Sequence, residues 1–257
     1  MSSENSAWIR NFHGAPDPHT RLVCFPHAGG AATYYYGLSA SLTPSVEVLG
    51  VQYPGRQDRR AEPCLDDVGD LADAITPELL ERTDRPIALF GHSLGATIAF
   101  EVAIRLEKAG VTPVVLFASG RRAPSTFRDE NVWQADDDAI IASLKAMSGA
   151  TAAMLDDEIL RMILPAVRAD YKAAETYRYQ PGPRLHCPIV ALTGDDDPQV
   201  TLDEAGAWGE HTESEFELKV FYGGHFYLDF HTEAVLDTIT TTLWEVTDGA
   251  GEPAGHQ

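Results

Sequence analysis

Three side chains in this sequence, Ser93, Asp197 and His225, have the types and the chain order that nucleophilic acyl transfer requires. Ser93 is the centre of Gly91-His92-Ser93-Leu94-Gly95, a G-x-S-x-G pattern. A serine hydroxyl is a weak nucleophile until a base takes its proton, and a base working near neutrality is a histidine whose tautomer is fixed by a carboxylate. Of the nine histidines, His225 alone follows the last predicted strand in a glycine-rich turn, Gly223-Gly224-His225. His92 adjoins the serine but is expected to point away from its hydroxyl, and His27 is expected to line the site. The acid is expected after a late strand, in Gly194-Asp195-Asp196-Asp197-Pro198. Asp195 and Asp196 fit as caps or solvated turn residues. Asp197, just before the proline, is the preferred acid, with Asp196 as the alternative. The oxyanion of acyl transfer needs two N–H donors. Leu94, after the nucleophile, is one candidate. Ala28, in the side-chain-poor loop Pro26-His27-Ala28-Gly29-Gly30, is the other.

The elements that must hold these residues follow from pattern. Ile87-Ala88-Leu89-Phe90 is an apolar run ahead of Ser93, and a helical pattern begins at Leu94, so the serine is expected on a strand-to-helix turn so tight that only small residues fit, a crowding that Gly91 and Gly95 relieve. The N–H groups of that helix point at the developing charge. Strands are predicted at 21–25, 46–51, 86–90, 114–118, 186–193 and 216–221, with helices at 66–83, 94–109 and 232–246. The alternation predicts an α/β fold with a mostly parallel central sheet and helices on both faces.

From about residue 121 to 184 no strand is predicted. Helices are expected at 138–147 and 156–177, the second kinked at Pro165. Aspartates 136–138, 156 and 157 are read as N-terminal helix caps rather than a metal site. Apart from Met1, every methionine (Met147, Met154 and Met162) lies in this stretch. Flexible thioethers suit a surface that adapts to ligands of varied shape, so the segment is expected to be a helical lid inserted into a single domain spanning 1–257. The tail 247–257, rich in Gly, Pro and Glu, is expected to be disordered.

Composition narrows the partners. A net charge of −20 over 257 residues argues against nucleic acid. No signal pattern or membrane-length apolar run is visible, and the three scattered cysteines fit a reducing cytoplasm. No metal or cofactor is expected. Arg56, Arg59, Arg60, Arg121 and Arg122 are concentrated in two short stretches. They either meet an anionic ligand or partner, Arg59, Arg60 and Arg121 being the candidates for substrate contact, or pair with carboxylates such as Asp58, Glu62 and Asp129.

Taken together, Phe25-Pro26-His27-Ala28-Gly29-Gly30, Tyr53-Pro54-Gly55-Arg56, the elbow at Ser93, Ser119-Gly120-Arg121-Arg122-Ala123-Pro124 and Gly223-Gly224-His225-Phe226 resemble the type II thioesterases of polyketide and nonribosomal peptide synthesis, in order over about residues 20–245. The resemblance implies an α/β-hydrolase fold and an editing serine hydrolase that cleaves stalled or aberrant acyl groups from the phosphopantetheine arm of an acyl or peptidyl carrier protein. It implies Ser93, Asp197 and His225 as the triad, with Ala28 and Leu94 as oxyanion donors, and a cytoplasmic enzyme, expected to be a monomer. An esterase or acyl thioesterase acting on free small substrates is the alternative. One departure is Gln57, where many relatives carry glycine.

Overall fold

The computed structural model describes residues 5–147 and 157–247. Seven strands form one sheet in the order β1-β3-β2-β4-β5-β6-β7. They are β1 (Ile9–Asn11), β2 (Thr20–Phe25), β3 (Val46–Val51), β4 (Ile87–His92), β5 (Val115–Ser119), β6 (Ile189–Gly194) and β7 (Phe216–Phe221). Every pairing is parallel except β1 with β3. The expected strands and their parallel arrangement are present, while β1 is a short antiparallel edge whose pattern is too brief to read from sequence. Central strands are buried throughout, which is why they read as continuous apolar runs.

Side chains alternate between two cores. On β2, Val23 and Phe25 face the core shared with α2 (Val68–Leu80) and α3 (Leu94–Lys108). Leu22 and Cys24 face the opposite core, covered by α1 (Tyr36–Leu42) and α7 (Thr232–Thr247). Asp67 starts α2 by accepting from the Gly69 and Asp70 N–H groups, at 2.7 and 3.1 Å. The stretch between β5 and β6 contains α4 (Asp137–Met147) and α5 (Asp157–Thr176), which close a third, smaller core of Ile140, Ile141, Leu160, Leu164 and Val167. Pro165 lies inside α5, which continues through it as one helix. A short helix, α6 (Leu202–Gly206), follows β6. The tail from Asp248 onward lies outside the described residues, as do Met154 and Asp156.

The turn at Ser93 is set by close approach. A Cβ on Gly91 would lie 2.2 Å from the Gly95 carbonyl oxygen, and one on Gly95 would lie 2.0 Å from the Phe25 carbonyl oxygen. Ser93 itself is held at φ 56°, ψ −122°, a conformation that L-residues adopt only under strain. Gln57 also has a positive φ, 47°, in the left-handed region that favours glycine. Its amide is held by donating to Thr33 Oγ1 at 2.6 Å.

Gly95→Ala drives a methyl into the backbone at the end of β2, with no flexible side chain to give way. It is expected to cost about 3 kcal/mol or more, measurable as a drop in the chemical denaturation midpoint, with loss of serine reactivity in any folded fraction.

Candidate active site

The chain passes from β2 to β3 on one side and then to β4 on the other, so the crevice at the carboxyl ends of β2 and β4 is where an open α/β sheet binds ligands. The loop 26–30 leaves β2 there, and Ser93 leaves β4. Asp197 follows β6, and His225 follows β7. Asp197 Oδ2 lies 2.9 Å from His225 Nδ1, while Asp197 Oδ1 accepts from the Gln199 N–H at 2.8 Å. Both side chains are almost wholly buried. Asp195 and Asp196 are exposed. Asp195 serves the loop instead, its Oδ1 accepting from the Gly223 N–H at 2.8 Å and its own N–H donating to the Phe221 carbonyl. These bonds tie the β6 and β7 loops together and so fix the turn that carries His225.

Ser93 and His225 line one cavity of about 270 Å³, together with His27, Ala28 and Leu94. Its far wall comes from the helical stretch: Val132, Leu144, Met147, Leu160, Ile163 and Val167. Leu94 is the first residue of α3, so its N–H has no intrahelical acceptor. Among the described residues no protein group accepts from the Ala28 N–H either. The cavity thus brings together a serine hydroxyl, an imidazole backed by a carboxylate, and two backbone donors.

The other sequence candidates separate. His27 and Met147 line the cavity, and Met162 is 72% exposed on the outer face of α5. Arg121 lines the cavity, donating to Thr97 Oγ1 and to the Ala174 carbonyl at 3.0 and 3.1 Å. Burial, aided by the neighbouring Arg122 charge, lowers its pKa to about 10. Arg59 is buried against Glu62, at 2.9 and 2.6 Å, with its guanidinium 4.3 Å above the Trp8 ring; it is not part of the cavity wall. Arg122 pairs with Glu130, and Arg56 with Asp170. Arg60 is exposed. Burial raises the Cys24 thiol far above its ordinary value and the Cys187 thiol to about 12, so neither supplies a thiolate near neutrality. Among the described residues no cluster of His, Cys, Asp and Glu could hold a metal ion.

Sequence reading missed a buried polar chain beneath the base. Ser119 Oγ lies 2.9 Å from His92 Nδ1 and 2.6 Å from the Tyr227 hydroxyl. The His92 ring is 5.1 Å from the His225 ring. Desolvation, with the nearby His225 and His27, pushes the His92 pKa well below its ordinary value. Burial likewise lowers His27, to about 3. The available signal was a serine ending a strand, at Ser119, level with His92 on the next strand.

A family model for the thioesterase domain matches residues 20–243. The chain belongs to the thioesterase family. It is 50% identical to thioesterase PikA5 of Streptomyces venezuelae, over 97% of this chain and 90% of that one. It is 53% identical to a probable cadicidin biosynthesis thioesterase of Streptomyces griseus, over 92% of this chain and 66% of that protein. Among solved structures, the type II thioesterase BorB of the borrelidin biosynthetic cluster superposes with a TM-score of 0.89 at 50% identity, covering 94% of this chain and all (100%) of that one. The RedJ thioesterase of Streptomyces coelicolor gives 0.85 at 35% identity, covering 89% of this chain and 88% of RedJ. The family has the α/β-hydrolase fold, which the motifs led one to expect. No helix among the described residues is long and apolar enough to cross a membrane.

The buried neutral histidines give stability a pH dependence of definite sign. His92 and His27 have folded-state pKa values depressed below the unfolded value near 6.5, so in mildly acidic solution the unfolded chain binds the extra protons. Their contribution is fully present above about pH 6.5 and is lost as pH falls toward their folded values. Each adds up to about 1.4 kcal/mol per pH unit in that window. His92→Asn keeps a group that can bond to Ser119 but removes one titration. Denaturation between about pH 4 and 6 is expected to show a slope shallower by roughly 1 kcal/mol per pH unit.

Proposed function

We propose that this chain is a serine thioesterase that removes stalled or aberrant acyl groups from the phosphopantetheine arm of carrier proteins in polyketide or nonribosomal peptide synthesis. The observation that carries the reading is the buried Asp197–His225 contact at 2.9 Å, opening on the same cavity as Ser93. It gains support from family membership and from relatives that are themselves described as biosynthetic thioesterases.

In the mechanism, His225 takes the Ser93 proton as the hydroxyl oxygen attacks the thioester carbonyl carbon. The carbonyl electrons move to oxygen, which meets the Ala28 and Leu94 N–H groups. Asp197 holds the His225 tautomer and stabilises the imidazolium. The C–S bond breaks, His225 protonates the departing thiolate, and an acyl-serine remains. His225 then deprotonates a water that attacks the ester carbonyl, releasing the acid and regenerating Ser93.

The cavity, about 270 Å³, falls just below the usual size of small-molecule sites, roughly 300–1,000 Å³. Its aliphatic wall suits short or medium acyl chains and needs no specific polar match. The helical stretch of about 121–184 acts as a lid over this chamber, and its thioether and branched side chains tolerate several chain shapes. Among the cations of the two arginine stretches, exposed Arg60 is available to a carrier, whereas Arg59 is engaged with Glu62.

Ser93→Ala is expected to abolish hydrolysis of an acyl-pantetheine thioester with the denaturation midpoint unchanged. Asp197→Asn is expected to lower kcat by several orders of magnitude, about 10⁴ in the serine proteases that define this effect, and Asp196→Asn by less than about threefold. Near-wild-type turnover by Ser93→Ala would sink the reading. Rates on acyl-carrier and on the matched oxygen ester, measured side by side, separate a carrier-directed editor from a general esterase; the editor favours the carrier-bound thioester.

Chain length is expected to be set at the cavity wall. Met147→Trp fills space there and is expected to lower kcat/KM for an eight-carbon relative to a three-carbon acyl-pantetheine by roughly tenfold, within the 1–3 kcal/mol that an apolar pocket discriminates per methylene. Competition between the two substrates, read by mass spectrometry, gives that ratio directly.

A further inference from the structure

Asp170 is a carboxylate with no exposed surface, on a helix whose other buried residues are aliphatic except Glu175 near its end. It sits three positions beyond Val167 and three before Ala173, on the stripe of α5 that faces the protein. A carboxylate there requires strong partners. It has two. Arg56, itself 6% exposed, donates from Nη1 to Asp170 Oδ2 at 2.6 Å and from Nη2 to Oδ1 at 2.9 Å. The Gly29 N–H donates to the same Oδ2 at 2.7 Å. Arg56 Nη1 also donates to the Gly30 carbonyl at 3.1 Å.

The ion pair therefore grips the loop after β2 at two peptide units, 28–29 through the Gly29 N–H and 30–31 through the Gly30 carbonyl. The rest of the loop is held from the sheet side. Tyr35 donates to the Phe25 carbonyl at 2.8 Å, Tyr53 to the Pro26 carbonyl at 3.2 Å, and the Ala32 N–H donates to Gln52 Oε1 at 2.9 Å. Ala28 is the residue between these grips whose N–H is spent on no protein acceptor. Gly29 has φ +75°, and a Cβ on it would stand 2.8 Å from Val167 Cγ2, so α5 presses on the loop with apolar as well as charged atoms.

We propose that Asp170 and Arg56 are positioning residues for the oxyanion site: a carboxylate supplied by the lid helix sets the orientation of the Ala28 peptide, so that the helix over the chamber and the loop beneath it open and close as one unit. The proposal rests on the thioesterase reading for its consequence in catalysis but not for its geometry. Oxyanion donors act on the transition state and hardly on bound substrate. Displacing one therefore lowers kcat and leaves KM almost unchanged, whereas a pair that merely supports the fold would lower stability and leave the turnover of folded enzyme intact.

Asp170→Asn alone strands the buried Arg56 charge and is expected to unfold much of the protein. The decisive variant is the double replacement Arg56→Met with Asp170→Leu, which removes both charges and keeps apolar volume. In the full-length chain, with an acyl-pantetheine thioester as substrate, it is expected to fold, to lose at least tenfold in kcat, and to keep KM within about threefold. A kcat within twofold of wild type would overturn the proposal. Wild type and Ser93→Ala, assayed in parallel, report on the thioesterase reading separately, because that reading fails only when the wild type is inactive or Ser93→Ala is active. A second measurement needs neither activity nor a variant. In native-state hydrogen exchange of the wild type at rising denaturant, peptides covering 26–31 and 165–176 are expected to open with the same free energy and the same denaturant dependence. Independent opening of the two segments would overturn the coupling.

Discussion

The position of Ser93 and of the loop beside it traces back to one steric constraint, the contact between the first turn of α3 and the end of β2. Gly95 lies so near the Phe25 carbonyl that no side chain fits between them. That approach forces the chain leaving β4 to turn at once, which places Ser93 at positive φ with its hydroxyl on the cavity. It also brings the first free N–H of α3, at Leu94, beside the loop that continues from Phe25. Ser93, Leu94 and the loop 26–30 are thereby fixed to two adjacent parallel strands, whose register leaves little freedom. The strain at Ser93 is sustained by the sheet, since relaxing it would require separating β2 from β4.

Electrostatics divides between surface and interior. The net charge of −20 is a property of the whole chain, yet the arginines of the two basic stretches each have a distinct use. Arg56 and Arg122 neutralise buried or half-buried carboxylates, Arg59 braces Trp8 and Glu62, and Arg121 meets the chamber with neutral partners. The histidines at the site also differ by environment. His225 has a carboxylate at Nδ1, whereas burial keeps His92 and His27 neutral.

The helical stretch between β5 and β6 is more than a cover. Its aliphatic residues form a small core of their own and the far wall of the chamber. Through Asp170 it also reaches down to the loop that offers a backbone donor. One helix thus lines the cavity and grips that loop, and on the proposed mechanism it would link what is bound to how well the oxyanion is held.

Sequence alone determined the parts that depend on local rules. Strand-length apolar runs, the glycines flanking Ser93, the proline after Asp197 and the glycine-rich turn at His225 each act within a few residues, so their spacing carries their meaning. The parallel sheet was legible for the same reason, because strands and helices alternate with period-defining patterns. β1 was not, since three residues on an edge carry no period. Tertiary structure decided what depends on residues distant in the chain. Arg56 and Asp170 are 114 positions apart, and Ser119 and Tyr227 are 108 apart. Nothing local announces either contact, although a carboxylate on the buried stripe of α5 was a visible hint. Whether an arginine is a brace or a ligand contact, and whether a methionine such as Met147 or Met162 faces the chamber or solvent, follows from how helices pack on the sheet. A one-dimensional pattern cannot fix that choice, because it specifies which face of a helix is apolar but not what that face meets.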